Sequence, residues 1–300
     1  MERWGFGYES ELAKRFPGLV YCQITGYGAT GPLGGLPGYD AALQAYSGLM
    51  SINGEVDGDP MRIGVPIVDM VTGLLAFSGI LLALQERDRS GRGQLVDCTL
   101  LDTAITLLHP HSATWLGSRE HPVRTGAAHP SIAPYETFHT RSGLFFVSAA
   151  NDRQFRSLMT VLRRPEVADD DRFRTNAARL TNVADLRACL TELFSERDPV
   201  ELGEELVKHG VAASPVLGVA DALGSPQVAH REMVVEFDGY RGVGIPIKLS
   251  RTPGRVRSLP RGIGDETEAV LREKGVDESI VSAVLRERAP TGPLAGAGEA

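Results

Sequence analysis

Asp69 is the side chain with the most evident capacity for chemistry. It stands at the head of the apolar run Val71 to Leu84, where the free amides and dipole of a helix N-terminus favour negative charge. An ionised carboxylate beside small residues is a usable nucleophile toward an activated acyl group. An Asp at a helix start is equally an N-cap with a purely structural task, and the residues alone leave both readings open. Residues 26–31, GYGATG, match G-x-G-x-x-G after an apolar run, the pattern of a dinucleotide-binding turn. The context rejects that reading: such a turn feeds directly into a helix that holds pyrophosphate, whereas Pro32-Leu33-Gly34-Gly35-Leu36-Pro37-Gly38 delays the next helix to about Tyr39. A loop of small residues still lets backbone amides approach a ligand. His109 and His111 have no third ligand nearby and make a weak case for a metal. The sequence has no P-loop, nucleophile elbow or H-E-x-x-H segment, so those chemistries have no support.

The elements that must position Asp69 follow from the spacing of apolar and turn residues. A short helix is expected over 8–16, a buried strand over Leu19 to Ile24, a helix from Tyr39 to Met50, a short strand from Arg62 to Val65, and a long helix opened by Pro66 and Asp69. The run inside that helix reads as too short to cross a bilayer and as buried, with two glycines on its surface. Gln94 to Leu101 reads as a further strand, with a helix beginning near Asp102. Alternating strand and helix predict an α/β layer with a parallel sheet. Glycines and prolines interrupt residues 117–134, the composition of a crossing between domains. Beyond it the pattern predicts a hairpin turning at Arg141-Ser142-Gly143, three helices (Gln154 to Leu162, Asp185 to Ser195, Pro199 to His209), strands at Val211 to Leu217 and Met233 to Asp238, and two closing helices (Glu266 to Gly275 and Glu278 to Arg288). The tail Thr291 to Ala300 is expected to fray.

The 300 residues are 42% hydrophobic and 23% charged, enough for a substantial core. With 31 Lys and Arg against 38 Asp and Glu the formal charge is −7, which gives no general attraction to nucleic acid or anionic lipid. Cys22, Cys98 and Cys189 form no C-x-x-C pair and suggest a reducing cytoplasm. The N-terminus lacks the order of a signal peptide.

Several segments are together similar to the family III CoA-transferases: LVYCQITGYGATGP at 19–32, PGYDAALQAYSGLM at 37–50, GVPIVDMVTG at 64–73, RSGRGQLVDCTLLD at 89–102, TGAAHPSIAPYETF at 125–138, VAASPVLGVADAL at 211–223, GIPIKLSRTPG at 244–254 and GDETEAVLREKG at 264–275. The resemblance implies a Rossmann-like large domain over 1–116, a linker over 117–134, a small α+β domain over 135–238, and a return linker with closing helices over 239–300. It also implies an interlocked homodimer. The implied activity is transfer of CoA from an acyl-CoA to a carboxylic acid, with CoA a thioester substrate and no permanently bound cofactor or metal. In the family motif the nucleophile is the Asp that here is Asp69; Pro37, Gly38, Tyr39 and Asp40 match the part that lines CoA, and Arg3 resembles a CoA-contacting arginine.

The related α-methylacyl-CoA racemases carry histidine where this chain has Tyr39. A phenol titrates too high to serve as a base at neutral pH, so the resemblance implies transfer ahead of racemisation. Gly126-Ala127-Ala128-His129 stands where formyl-CoA transferase has a glycine run closing over its site, so formyl or oxalyl specificity does not follow. Met1 to Tyr8 resembles a point well inside other family members. The resemblance therefore implies that part of the large domain is missing, to be explained by an annotated start that lies too late, by a separate N-terminal partner, or by an inactive remnant.

Overall fold

The computed structural model describes residues 1–287. Residues 1–216 and, among the described residues, 217–287 form two compact units, each treated by itself. In the first, β1 (Tyr21–Thr25) and β2 (Leu95–Thr99) pair in parallel, with Cys22 opposite Val96 and Ile24 opposite Cys98. Parallel strands need a long crossover, and the helix Ile67–Ser90 supplies it. Gly79 allows the helix to sit close: a β-carbon there would lie 2.7 Å from Val96 Cγ1. The chain is a mixed α/β protein whose described residues form three small sheets, this one having only two strands.

The long helix departs from both expectations for its apolar run. It extends through flanking residues to 24 residues, so by length and composition it is long and apolar enough to cross a membrane. It is also largely uncovered, since only 22% of its most apolar 18-residue window is buried. Val68, Thr72, Ala76 and Ala83 are its buried residues, a narrow stripe of mostly small side chains.

Two neighbouring segments also differ from expectation. The helix expected from Tyr39 to Met50 divides into Asp40–Ser47 and Leu49–Ile52, because Gly48 takes a left-handed φ of 96° that ends the first helix. Arg62 to Val65 is no strand; it has no neighbouring strand, and the Ile63 amide donates instead to Gln44 Oε1 at 2.8 Å. A small core of Leu43, Leu49, Val68, Leu100 and Ala104 ties these pieces together.

The rest of this unit has a separate, larger core. β3 (Tyr135–Thr140) and β4 (Gly143–Ser148) form the expected hairpin, and β5 (Ala212–Pro215) adds antiparallel to β4. Helices Asp152–Val161, Val183–Ser195 and Pro199–Lys208 contribute Phe155, Leu158, Leu190, Phe194, Leu202 and Leu206 to a core that also holds Phe138 and Phe145. Two of these helices are capped by side chains: Asn151 accepts from the Gln154 amide, and Asp198 accepts from the amides of Val200 and Glu201. Arg179, on a helix over Asn176–Thr181 that the apolar spacing did not predict, is fully buried. Its guanidinium donates to the carbonyls of Ala133 and Phe173 and to Asp152 Oδ1, and lies 4.5 Å from the Phe155 ring centroid. Burial pushes its pKa down, opposed by Asp152.

Residues 217–287 carry the expected strand as β6 (Val234–Phe237), hairpinned to β7 (Tyr240–Val243), and helices over Thr267–Glu273 and Glu278–Glu287. The tail at 291–300 lies outside the described residues.

Candidate active site

Asp69 is the third residue of the long helix and its side chain is exposed. Four backbone positions at a helix N-terminus lack intrahelical partners; here Pro66 has no N–H, and the amides of Ile67, Val68 and Asp69 are all accounted for. The Ile67 amide donates to the Val65 carbonyl at 2.8 Å and the Met70 amide to the Pro66 carbonyl at 3.0 Å. The amides of Val68 and Asp69 both donate to Asp40 Oδ2, at 2.8 and 3.1 Å. Pro66, at the N-cap position, has no side-chain oxygen to offer. The cap is thus supplied from another helix, and the N-cap reading of Asp69 falls. Among the described residues, no hydrogen bond or ion pair engages the Asp69 carboxylate.

Asp40 is buried, and both its oxygens are committed. Oδ1 accepts from Gln44 Nε2 at 2.6 Å, and fully buried Gln44 passes the connection to the Ile63 amide. One carboxylate and one amide side chain therefore fix the whole approach from Ile63 to Asp69. The helix base is secured a second time where the hydroxyls of Thr72 and Thr103 meet at 2.9 Å, with Thr103 donating to the Thr99 carbonyl. Thr99 in turn caps the helix Leu100–Thr106 by accepting from the Asp102 amide at 2.9 Å.

Tyr39 precedes Asp40 and is 79% exposed, so the capping bond brings the segment bearing this ring to the start of the helix bearing Asp69. Gly38 sets that approach: its α-carbon passes so near Gly26 that a β-carbon on Gly26 would lie 2.8 Å from it. The glycine-rich loop folds back on itself, the Gly35 amide donating to the Gly28 carbonyl at 2.9 Å. Pro37 is exposed beside Gly38. The structure thus gathers Pro37, Gly38, Tyr39, Asp40 and Asp69.

The remaining candidates stand apart from that group. Gly126, Ala127, Ala128 and His129 follow Arg124, whose guanidinium donates to the carbonyls of Ser51, Glu55 and Gly58 and pins the loop to the 53–59 turn. His129 packs its ring on Tyr135 at 5.1 Å and accepts from the Ser131 amide at 3.1 Å. Arg3 lies over the Trp4 ring at 5.2 Å and, among the described residues, shares no hydrogen bond or ion pair with the other candidates. Cys98 offers no competing nucleophile, since burial first and then Cys22 and Asp97 push its thiol pKa up. A concave surface elsewhere, of about 500 Å³, is lined by Ala220, Leu223, Gly224, Val234, Gly242, Val243 and one charged residue, Arg241.

Gln44, Thr72, Thr103 and Arg124 are absent from the residues singled out by sequence. The i, i+4 spacing of Asp40 and Gln44 on one helix was the available signal. The other contacts are between segments distant in sequence, and local pattern does not carry them.

A model of the family described as CoA-transferase family III matches residues 1–267. The chain belongs to that family. It is 36% identical over 278 residues to the succinate–glutarate CoA-transferase of Agrobacterium fabrum, covering 91% of this chain and 69% of the relative. With the acetyl-CoA:oxalate CoA-transferase of Acetobacter aceti it shares 37% identity over 83% of this chain and 64% of that one. The crystal structure of a CaiB/BaiF family protein from Brucella suis is similar with a TM-score of 0.79 at 39% identity, over 91% of this chain and 72% of that protein. The chain spans about two thirds of the length of the curated relatives it matches.

Proposed function

We propose that this chain carries the acyl-accepting carboxylate of an acyl-CoA:carboxylate CoA-transferase, and that the carboxylate is Asp69. The reading rests chiefly on one observation: Asp69 is exposed and unengaged while Asp40 consumes the helix-end amides that would otherwise bind it. A free carboxylate oxygen is a better nucleophile than one already hydrogen-bonded.

In the first step an Asp69 oxygen attacks the thioester carbonyl carbon. The C–S bond breaks, its electron pair leaves on CoA thiolate, and an aspartyl–acyl anhydride remains. CoA thiolate then attacks the aspartyl carbonyl and expels the donor acid, leaving an aspartyl–CoA thioester; the acceptor carboxylate displaces the thiolate to form a second anhydride, and thiolate attack on the acceptor's carbonyl frees Asp69, so one thioester is consumed and one is made with no net proton or electron. Covalent capture divides one difficult exchange into easier steps.

Tyr39, Gly38, Pro37 and Asp40 form the CoA-facing border in this proposal, with Arg3 toward the nucleotide and Gly126 to His129 toward the acceptor acid. The free acids in the names of the relatives above, succinate, glutarate and oxalate, are dicarboxylic, and we take a dicarboxylic acid as the acceptor class. Large domain 1–116, linker 117–134, small domain 135–238 and return segment 239–300 are part of the same reading, supported by the two cores on either side of the linker. So are a Rossmann-like large domain, a cytoplasmic site and a homodimer.

The test is trapping. Succinyl-CoA incubated with the chain should leave an adduct that hydroxylamine converts to a hydroxamate, mapped by mass spectrometry to Asp69. An adduct on any other residue, or deuterium exchange at the α-carbon of a 2-methylacyl-CoA in place of transfer, would overturn the assignment.

A further inference from the structure

The residues gathered around Asp69 all come from a stretch that is almost free of positive charge. Between Arg15 and Arg87 the sequence holds Asp40, Glu55, Asp57, Asp59, Asp69 and Glu86, and Arg62 is its only Lys, Arg or His. Arg87 lies on the same helix as Asp69 but about five turns further along, roughly 27 Å away at ~1.5 Å per residue. A carboxylic acid that approaches an aspartate in such surroundings is repelled unless a cation is placed to receive it.

Arg62 is exposed, yet the backbone on either side of it is tied down. The Met61 amide donates to the Asn53 carbonyl at 3.0 Å, and Asn53 Nδ2 donates to the Met61 carbonyl at 2.9 Å. The next amide, that of Ile63, donates to Gln44, which also holds the Asp40 carboxylate that caps the Asp69 helix. Arg62 and Asp69 are therefore carried by one fixed segment. The guanidinium is oriented as well. Its Nη1 donates to the carbonyls of Ile63 and Gly64, each at 3.2 Å, while among the described residues Nε and Nη2 have no hydrogen bond and no carboxylate pairs with the group. The open side is the one on which Nε–H and Nη2–H point the same way, the geometry that receives both oxygens of a carboxylate. Arg124 differs, since all three of its nitrogens are spent on the carbonyls of Ser51, Glu55 and Gly58.

We infer that Arg62 is the anion-recognition residue of this site and takes the distal carboxylate of a dicarboxylic acceptor acid in a bidentate pair, leaving the other carboxylate to react at Asp69. The inference deepens the transferase reading and rests on it for the class of acid, but it is read out as binding and needs no turnover.

The experiment titrates the full chain, by ligand-observed nuclear magnetic resonance, with glutarate and with monomethyl glutarate, which has nearly the same length and one carboxylate fewer. Wild type is expected to bind glutarate at least about tenfold more tightly than the monoester, the scale of one charge-assisted pair. Arg62→Met should remove that difference by weakening glutarate alone. Arg62→Lys, which keeps the charge but not the fork, should retain only part of it. Arg153→Met, which changes an exposed arginine on the helix Asp152–Val161, should bind both ligands as wild type does. The comparison of the two ligands on wild type needs no variant, so an unfolded Arg62→Met does not shield the inference. Absence of glutarate binding overturns it, as does equal affinity of wild type for the two ligands. So does glutarate binding that is indifferent to Arg62→Met, or that Arg153→Met weakens equally. Glutarate binding that follows Arg62 in a chain giving no adduct at Asp69 would refute the proposed chemistry and leave the Arg62 assignment standing.

Discussion

The region around Asp69 and the region from Ala133 to Val211 share one compact unit and are built on opposite terms. The second buries nineteen hydrophobic residues in one cluster, and its hairpin gains a third strand from β5. The first buries five, leaves a 24-residue apolar helix mostly uncovered and has a two-stranded sheet. The larger core has the contacts expected of a self-supporting fold, while the candidate site depends on a few polar bonds between distant segments. The large core and the candidate site thus lie in different regions, which makes the division open to experiment.

The largest effect should come from Asp69→Asn. Transfer is expected to fall by about three to four orders of magnitude, the scale seen when a nucleophilic residue is removed, with the melting temperature unchanged because the carboxylate has no partner to lose. Stopped assays of thioester exchange and calorimetry check both halves; a large fall in melting temperature would mean that the side chain has structural work. Arg179→Met attacks the other region. It leaves the carbonyls of Ala133 and Phe173 without their donors, and an expected loss of about 3 kcal/mol or more should appear in urea unfolding followed by the aromatic signal of that core.

Asp40→Ala sharpens the comparison from the site's side. Losing a helix cap typically costs about 1 kcal/mol, and the amides of Val68 and Asp69 should lose protection in hydrogen exchange while those of β3 and β4 do not. Asp40→Asn, which keeps one accepting oxygen, should retain much of that protection.

The smallest effect concerns pH in the larger region. The Glu201 amide holds the Asp198 carboxyl below the usual carboxylate range, opposed by partial burial and reinforced by the Val200 amide and Arg141. Its folded pKa is depressed, so its contribution is present above the ordinary carboxylate pKa and lost as pH falls through the folded value. Asp198→Asn should flatten the acid side of the unfolding profile of this region and leave the neutral side nearly unchanged.

How far the sequence reaches differs between the same two regions. The hairpin, the helices of the larger core and the strand–helix–strand order are legible because turn residues and apolar period are local signals. The strand expected at Arg62 to Val65 fails because an extended segment becomes a strand only with a neighbour, and here Gln44 takes that place. The long helix's exposure is illegible from its own residues, which are apolar on every side. Asp69 was visible as a candidate, but whether it caps its own helix turned on Asp40, a carboxylate 29 positions earlier in the chain. Arg179 carried no signal of burial, since its partners are carbonyls contributed by other segments.

The bond from Asp40 to the amide of Asp69 has a kinetic corollary. Because its two ends belong to separate helices, forming the Ile67–Ser90 helix alone does not complete the Asp69 backbone contact. A chain that is only partly assembled, on emerging from the ribosome or after thermal fraying, would hold its carboxylate out of register. On the proposed chemistry, acylation of Asp69 would then report whether the Asp40 contact has formed.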